Sequence, residues 1–367
     1  MNVLPFEEVV QDASGGNIKV QRGDYLTFGK YPIVDQGQQF VGGFSNDRSD
    51  LVKGEGPWIV FGDHTRALKF IETPFCMGAD GVKVLRLKRE GSADLKYIFH
   101  FLKHSNIPSA GYSRHYKFLK RLEIPLPPLE EQKRIAAILD KADQLRQKRH
   151  QAIALLDSLT QSIFLEMFGD PVSNPKGWQQ KAIGEICKVV TGNTPPREIA
   201  DYYDDIEIEW IKSDNIADGG IFLSKAAEFL SKKGQAVARV APSGATLVTC
   251  IAGSPNSIGN VGLANRDVAF NQQINAVIPI ELDPWFQFFH LRYAKRLVQA
   301  QSTGGMKGLV SKSRLENVLL MQPPRQLQEE FVRLARLHSS VADLLMTDRN
   351  LGTLFASLQH RAFSGQL

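Results

Sequence analysis

Apolar positions between residues 127 and 169 follow a helical rhythm. Ile135, Ile138, Ala142, Leu145, Ala152, Leu156, Leu159 and Ile163 recur at alternating steps of three and four, with Arg149 in the one skipped place. That spacing lines one face of a helix and predicts a coiled-coil seam of about four heptads. Pro127-Pro128 blocks a helix upstream, Glu130 and Glu131 suit its positive N-terminal end, and Gly169-Asp170-Pro171 ends it. About 40 residues at ~1.5 Å each make a rod of roughly 60 Å. A second span, Gln326 to Ala362, carries Phe331, Leu334, Val341, Leu345, Phe355 and Leu358, with His338 and Asp348 at seam positions and Gly352 weakening it. Two seams in one chain can satisfy each other, which predicts an antiparallel intramolecular pair. The alternative is that each helix lies on its own globular domain.

The stretches before each helix alternate with period two or run apolar between Gly and Asp. They are WIVFGD, GVKVLRLK and RLEIPLPP in the first half, and IEIEWIKSD, ATLVTCIAG, NAVIPIE and ENVLLMQPP in the second. They predict strand-rich globular segments, with short helices at Leu95–His104 and Trp285–Gln299. The halves also repeat. Pro127-Pro128 recurs as Pro323-Pro324, Gln132 as Gln328 and Ile135 as Phe331, at an offset of 196. Leu159, Ser162 and Phe168 recur as Leu354, Ser357 and Phe363, at an offset of 195. A period this long is not a solenoid; it reads as a duplicated domain, each copy followed by the same helix. The predicted class is α+β: two strand-rich domains, 1–126 and 170–324, separated by two long antiparallel coiled-coil helices, 127–169 and 325–367, in a pseudo-twofold repeat.

Composition narrows the class. A chain of 367 residues suits about two domains, and 43% hydrophobic with 23% charged residues excludes wholesale disorder, collagen and a membrane bundle. No run of ~18 apolar residues predicts a membrane span. MNVLPFEEVVQD lacks the basic start and apolar stretch of a signal peptide, so the cytoplasm is the expected compartment. Cys76, Cys187 and Cys250 lie far apart without a CxxC, against a disulfide framework or structural zinc. The net charge of +5 favours a polyanionic partner only modestly.

The block RLEIPLPPLEEQKRIAAILDKADQL resembles the central conserved region of the specificity subunits of type I restriction–modification systems. VVTGNTPP, EWIKSDNI, GNVGLANRDVAFNQQINAVIP and GGMKGLVSKSRLENVLLMQPP follow the order of their target recognition domains, and FGDHTRALKF and FCMGADGVKVL fit the first such domain. The likeness spans nearly the whole chain; its strongest mark is a Pro-Pro-x-x-x-Gln helix start that occurs twice. The chain departs from the family in beginning almost inside its first recognition domain, which is shorter than the second. The resemblance implies recognition domains over 1–126 and 170–324 and conserved helical spacers over 127–169 and 325–367. Each domain would read one half of a bipartite site on double-stranded DNA, with the helices setting the gap. Catalysis would belong to partners: two methyltransferase subunits using S-adenosylmethionine and two restriction subunits using ATP and magnesium. This chain would hold no cofactor and meet no membrane.

Reading base edges calls for Arg or Lys on guanine and Asn or Gln on adenine, with Lys, Ser and Thr on phosphates. Loops of that composition in the first domain are Gln36–Gln39; His64, Thr65 and Arg66 with Lys69; and Tyr112, Ser113, Arg114 and His115 with Lys117. In the second they are Thr191, Asn193 and Thr194 around Gly192; Lys212 and Ser213 with Asn215; Ser254–Asn260, including Asn256 and Ser257; and Lys307 with Ser311, Lys312 and Arg314. Arg66 is placed to aim a forked guanidinium at guanine, and Lys307, after Gly304-Gly305, suits a phosphate. Each also has an ordinary reading as a solvated turn. His64 and His115 suit structural hydrogen bonds equally well, and Asn271-Gln272-Gln273 suits buried support of a loop.

Enzymatic signatures are missing. The Pro-Pro pairs read TPPR, LPPL and QPPR rather than the Asn/Asp-Pro-Pro-Tyr/Phe of adenine methyltransferases, and GxxxxGK, GxGxxG and HExxH do not occur. Two alternatives stay open: a stand-alone metal-dependent DNA enzyme using Asp204, Asp205, Glu207 and Glu209 beside Lys212, and a coiled-coil scaffold that does not bind DNA. Cys250 reads as a small core residue rather than a nucleophile.

Overall fold

The computed structural model describes residues 2–366 apart from 80, 110, 112, 217–219, 304–307 and 347–348. The chain forms two units: residues 1–150 with 347–367, and residues 151–346. This division differs from a four-part reading because the ends of the long helices pack into the domains beside them.

Unit one holds a four-stranded sheet in the order Val10–Asp12, Val82–Leu87, Trp58–Gly62, Leu68–Ile71, all neighbours antiparallel. A second four-stranded sheet runs Lys19–Val20, Cys76–Gly78, Tyr31–Val34, Gly43–Ser45. Alternation along Trp58–Gly62 explains its unbroken apolar run: Ile59 and Phe61 enter one core cluster, Trp58 and Val60 another. Helix α1 (Leu95–His104) packs its buried Tyr97, Ile98 and Leu102 into the first cluster. Helix α2 (Leu129–Phe168) crosses the unit boundary; its start adds Ile135 and Leu139 to the same cluster.

Unit two repeats the plan. One sheet runs Cys187–Thr191, Ile274–Pro279, Thr246–Thr249, Val261–Leu263; the other runs Phe229–Leu230, Ile208–Ile211, Val268–Phe270, Val240–Ala241. Helix α3 (Pro284–Tyr293) takes the place of α1, and helix α4 (Arg325–Met346) begins at the second Pro-Pro. Helix α5 (Arg349–Phe363) returns to unit one, where Phe355 and Ala362 are core residues. The entry strands correspond as well: Asn2–Pro5 pairs with Glu123–Leu126, and Gln180–Ala182 with Leu319–Met321. The first domain thus has its own entry strand.

The repeated Pro-Pro-x-x-x-Gln has a physical cause. Buried Gln132 accepts the Asp94 N–H at 2.9 Å and donates to the Pro127 carbonyl at 2.8 Å. Asp94 in turn caps α1, accepting from the Tyr97 N–H at 2.7 Å. Gln328 does the same in unit two, accepting from Asp283 N–H at 3.3 Å and donating to the Pro323 carbonyl at 2.9 Å, while Asp283 caps α3 through the Trp285 N–H at 2.8 Å. Each glutamine ties the start of a long helix to the start of a short one.

The predicted seam needs correction. Burial on α2 falls at its two ends, on Gln132, Ile135, Ala136, Leu139 and Asp143, then on Thr160, Phe164 and Phe168. Leu145 and Leu159, both expected in the seam, are 57% and 47% exposed. Asp143 tolerates burial because Lys103 and Arg146 each reach it at 2.9 Å. Both packing alternatives are realised: the helix ends lie on the domains and also pair antiparallel. In unit two Thr160 meets His338 Nδ1 at 2.9 Å and Phe168 meets Phe331 at 5.7 Å between ring centroids; in unit one Arg146 lies 5.0 Å over the Phe355 ring. The second predicted span appears as α4 and α5, with Asp348 outside the described residues.

Candidate nucleic-acid interface

In unit one the turn between Trp58–Gly62 and Leu68–Ile71 closes through Arg66 N–H to Gly62 O at 2.7 Å and Gly62 N–H to Ala67 O at 2.8 Å. This geometry holds Arg66 at φ 62°, uncommon for a residue with a side chain. His64 N–H donates to Gln36 Oε1 at 3.3 Å, and the Thr65 hydroxyl donates to the Gln36 carbonyl. The turn therefore lies against the loop that starts at Asp35. Gly81 sits beside both at φ +67°, and a Cβ there would fall 2.7 Å from His64 Cδ2 and 2.8 Å from Gln36 Oε1, so only glycine fits.

His64 and Arg66 are exposed. Arg66 spends Nη1 on the Ile107 carbonyl at 3.0 Å. Lys69, expected as a DNA contact, is only 5% exposed; its Nζ donates to the Asp35 carbonyl at 2.8 Å. Burial pushes its pKa down, against the pull of the Asp35 carboxylate. It is a post beneath the loop rather than a surface cation. His115 is structural: its Nδ1 and its N–H each meet the Asp63 carbonyl at 2.8 Å. Ser113 turns its hydroxyl inward, while Arg114 and Lys117 are exposed, Lys117 lying 5.2 Å from the Phe118 ring centroid. Tyr112 lies outside the described residues.

In unit two, Thr191 donates to Asn275 Oδ1 at 2.6 Å and Thr194 to Gln272 Oε1 at 2.5 Å. Asn193 donates to the Val237 carbonyl at 2.9 Å and accepts the Arg239 N–H at 2.7 Å. Ser213 reaches Gln273 Oε1 at 3.4 Å. The fold so gathers Thr191–Thr194, Lys212–Asn215 and Asn271–Gln273, three segments far apart in sequence. Lys212 pairs with Glu228 and lies 5.1 Å from the Trp210 ring centroid. Asn215 is buried and structural, accepting the Lys212 N–H at 3.0 Å and donating to the Lys225 carbonyl at 3.2 Å.

Arg197, in none of the loops marked by composition, joins this cluster. It donates to Glu228 at 2.6 Å and lies 4.7 Å from both the Tyr203 and Trp210 ring centroids. Hydrogen bonds from Lys212 and then Arg197 hold the Glu228 carboxyl below its usual range. Its sequence signal was weak, an arginine after two prolines, because both rings and the carboxylate come from other segments.

The remaining selected residues lie elsewhere in unit two. Exposed Asn256 and half-buried Ser257 form a turn near Asn260, which accepts from Lys295 Nζ at 2.5 Å. Lys312 pairs with Glu316 at 3.6 Å, and Arg314 donates to the Gln301 carbonyl at 2.9 Å. Lys307 lies outside the described residues.

The acidic alternative does not assemble. Glu209 is committed to Arg266 and to the Ala226 N–H at 3.2 Å. Among the described residues no three His, Cys, Asp or Glu side chains stand where they could hold a metal ion, and no helix is long and apolar enough to cross a membrane. Cys250 is buried, and desolvation raises its thiol to about 11, which fits a core residue.

Comparison with known proteins bears on what these loops face. The family model of the type I restriction modification DNA specificity domain matches residues 6–155 and again 175–339. The type I restriction enzyme EcoR124I/EcoR124II specificity subunit of Escherichia coli is 21% identical over 356 residues, 90% of this chain and 85% of that protein. The putative type I restriction enzyme MjaX specificity subunit of Methanocaldococcus jannaschii is 25% identical over 253 residues, 63% of this chain and 55% of that protein. Among solved structures, the type I restriction–modification S subunit from M. genitalium shares the fold, with a TM-score of 0.66 at 14% identity over 99% of this chain and 96% of that one.

Proposed function

This chain belongs to the type I restriction–modification DNA specificity family, and we propose that each of its two units reads one half of a bipartite DNA site. It is the DNA sequence-recognition subunit, working in a complex with other subunits. The observation that carries the two-half reading is the duplication itself. Each unit has its own pair of four-stranded sheets, its own Gln-clamped helix start and its own cluster of polar loops. Two readers of different loop sequence recognise an asymmetric site, and helix α2 runs on from one unit into the other.

In this reading the helices set the spacer. At ~1.5 Å per residue, each residue added to α2 lengthens it by a fixed step. Chemistry belongs to partners: two methyltransferase subunits that bind S-adenosylmethionine and methylate adenine, and two restriction subunits that use ATP and magnesium. The chain itself positions the complex and needs no cofactor. The test is to replace residues 170–324 with another recognition domain, express the hybrid with its cognate methyltransferase, and sequence the methylated adenines of the host. One half-site should change and the other persist; a change in both would overturn the modular reading.

A further inference from the structure

The loop Asp35–Gly42 of unit one has a pinned base and a free tip. At the base, the Asp35 carbonyl takes the Nζ of buried Lys69 at 2.8 Å, and its carboxylate faces that ammonium at 3.7 Å. The same carboxylate accepts the Gly37 N–H at 2.8 Å. The loop closes where Gly42 N–H donates to the Ile33 carbonyl at 2.9 Å, at a position where a Cβ would lie 2.6 Å from Asp35 Oδ2. Gln36 is tied to the neighbouring turn by His64 and Thr65. Removing an ammonium from water is costly, and among the described residues this one bonds the loop it supports and nothing else.

The tip carries side chains the fold does not use. Gln38 and Gln39 are exposed, and among the described residues their amides make no hydrogen bond. Phe40 beside them is 56% exposed. A carboxamide places a donor and an acceptor side by side, matching N6–H and N7 of adenine in the major groove, and an apolar ring matches the 5-methyl group of thymine. None of the three carries the positive charge that suits a phosphate. A loop pinned at its base keeps its tip facing one way, so less freedom is lost when the tip meets a groove.

We infer that Gln38, Gln39 and Phe40 are specificity-determining residues that read A·T pairs, the amides on adenine and the Phe40 ring against a thymine methyl. The inference rests on the DNA-reading function proposed above and narrows it to a base type for unit one. It is tested by selecting duplexes from a random-sequence DNA pool with the full chain co-expressed with its cognate methyltransferase. The wild type should enrich a bipartite sequence with at least one A·T pair in one half. Gln38→Ala/Gln39→Ala should lose an adenine preference of about tenfold at one or two positions of that half and leave the other half intact. Replacing thymine by deoxyuridine in the selected duplex removes only the methyl group. It should weaken the wild type several-fold, and Phe40→Ser should bind both duplexes alike. A wild-type consensus that these variants leave unchanged overturns the inference alone. Loss of partner assembly with unchanged base preference in Phe40→Ser overturns it in favour of a protein contact. No enrichment by the wild type overturns the DNA-reading premise and this inference with it.

Discussion

Gln132→Ala removes one side chain and leaves two backbone groups without a partner. The amide joins the Asp94 N–H and the Pro127 carbonyl, and only 2% of the residue is exposed. An unpaired buried donor or acceptor costs about 1–3 kcal/mol, and both groups are only partly buried, so the loss should be about 2–4 kcal/mol. Against a typical stability of about 5–15 kcal/mol this is a large share, worth about 4–16 °C in Tm for a unit of this size. Gln328→Ala breaks the same pair of bonds on Asp283 and Pro323 and should cost a similar amount in unit two. Gln132→Glu supplies a control. The carboxylate still accepts from Asp94 but cannot donate to Pro127, so it should fail at neutral pH and recover partly in acid, when its proton restores the donor. Urea titration followed by circular dichroism measures each variant. If Gln132→Ala costs under about 0.5 kcal/mol, the repeated glutamine is not a clamp and the account of the motif fails.

Three further outcomes follow from other parts of the molecule. His290 is wholly buried against Phe164 and Phe286, and desolvation pushes its pKa down to about 3, so the unfolded chain takes up its proton first as pH falls below ~6.5. Its contribution to stability should therefore fall by about 2 kcal/mol between pH 7.5 and pH 5; His290→Leu should flatten that slope in urea titrations, and identical slopes would refute the assignment. Deleting the seven residues Leu145–Gln151 shortens α2 by ~10 Å and should shorten the recognised spacer or abolish methylation with the half-site bases unchanged. An unchanged spacer at full activity would show that α2 is not the measure. Arg66→Ala should relax one position of a half-site by about 1–3 kcal/mol if the guanidinium reads guanine. Arg66→Gly should do the same while relieving the left-handed backbone, so the glycine variant should melt above the alanine one.

Long periodic segments and the repeat were legible in the sequence because their causes are local or repeated. Leu95–His104 is one amphipathic helix with an Asp cap beside it, and the two Gln clamps show as the same short motif twice. The extent of the α2 seam is not legible, because a helix lying on a domain and a coiled-coil seam share the three-four rhythm; only contacts tell Phe164 from Leu159. Lys69 reads as a surface cation for a different reason. It lies between Leu68 and Phe70 on a strand whose both faces are covered, and the Asp35 that receives it is far away in sequence. Asn215 likewise has the composition of a reading residue and the position of a turn support. Composition found loops of the right chemistry, but which side chains in them face outward depends on partners from other segments.

The order in which the chain is made acts on the two units differently. Unit two is one unbroken stretch, residues 151–346, whereas unit one needs residues 347–367 to finish its core. Phe355 and Ala362 fill that core, and Phe363 meets Tyr97 at 5.5 Å and Phe101 at 5.4 Å between ring centroids. The sheets of unit one leave the ribosome before unit two, yet the helix that seals them leaves only after the whole of unit two has been added. At about 5–20 residues per second, that wait is on the order of ten seconds or more. Through it, the apolar face that α5 will cover lacks that cover, so the unit begun before the other is completed after it.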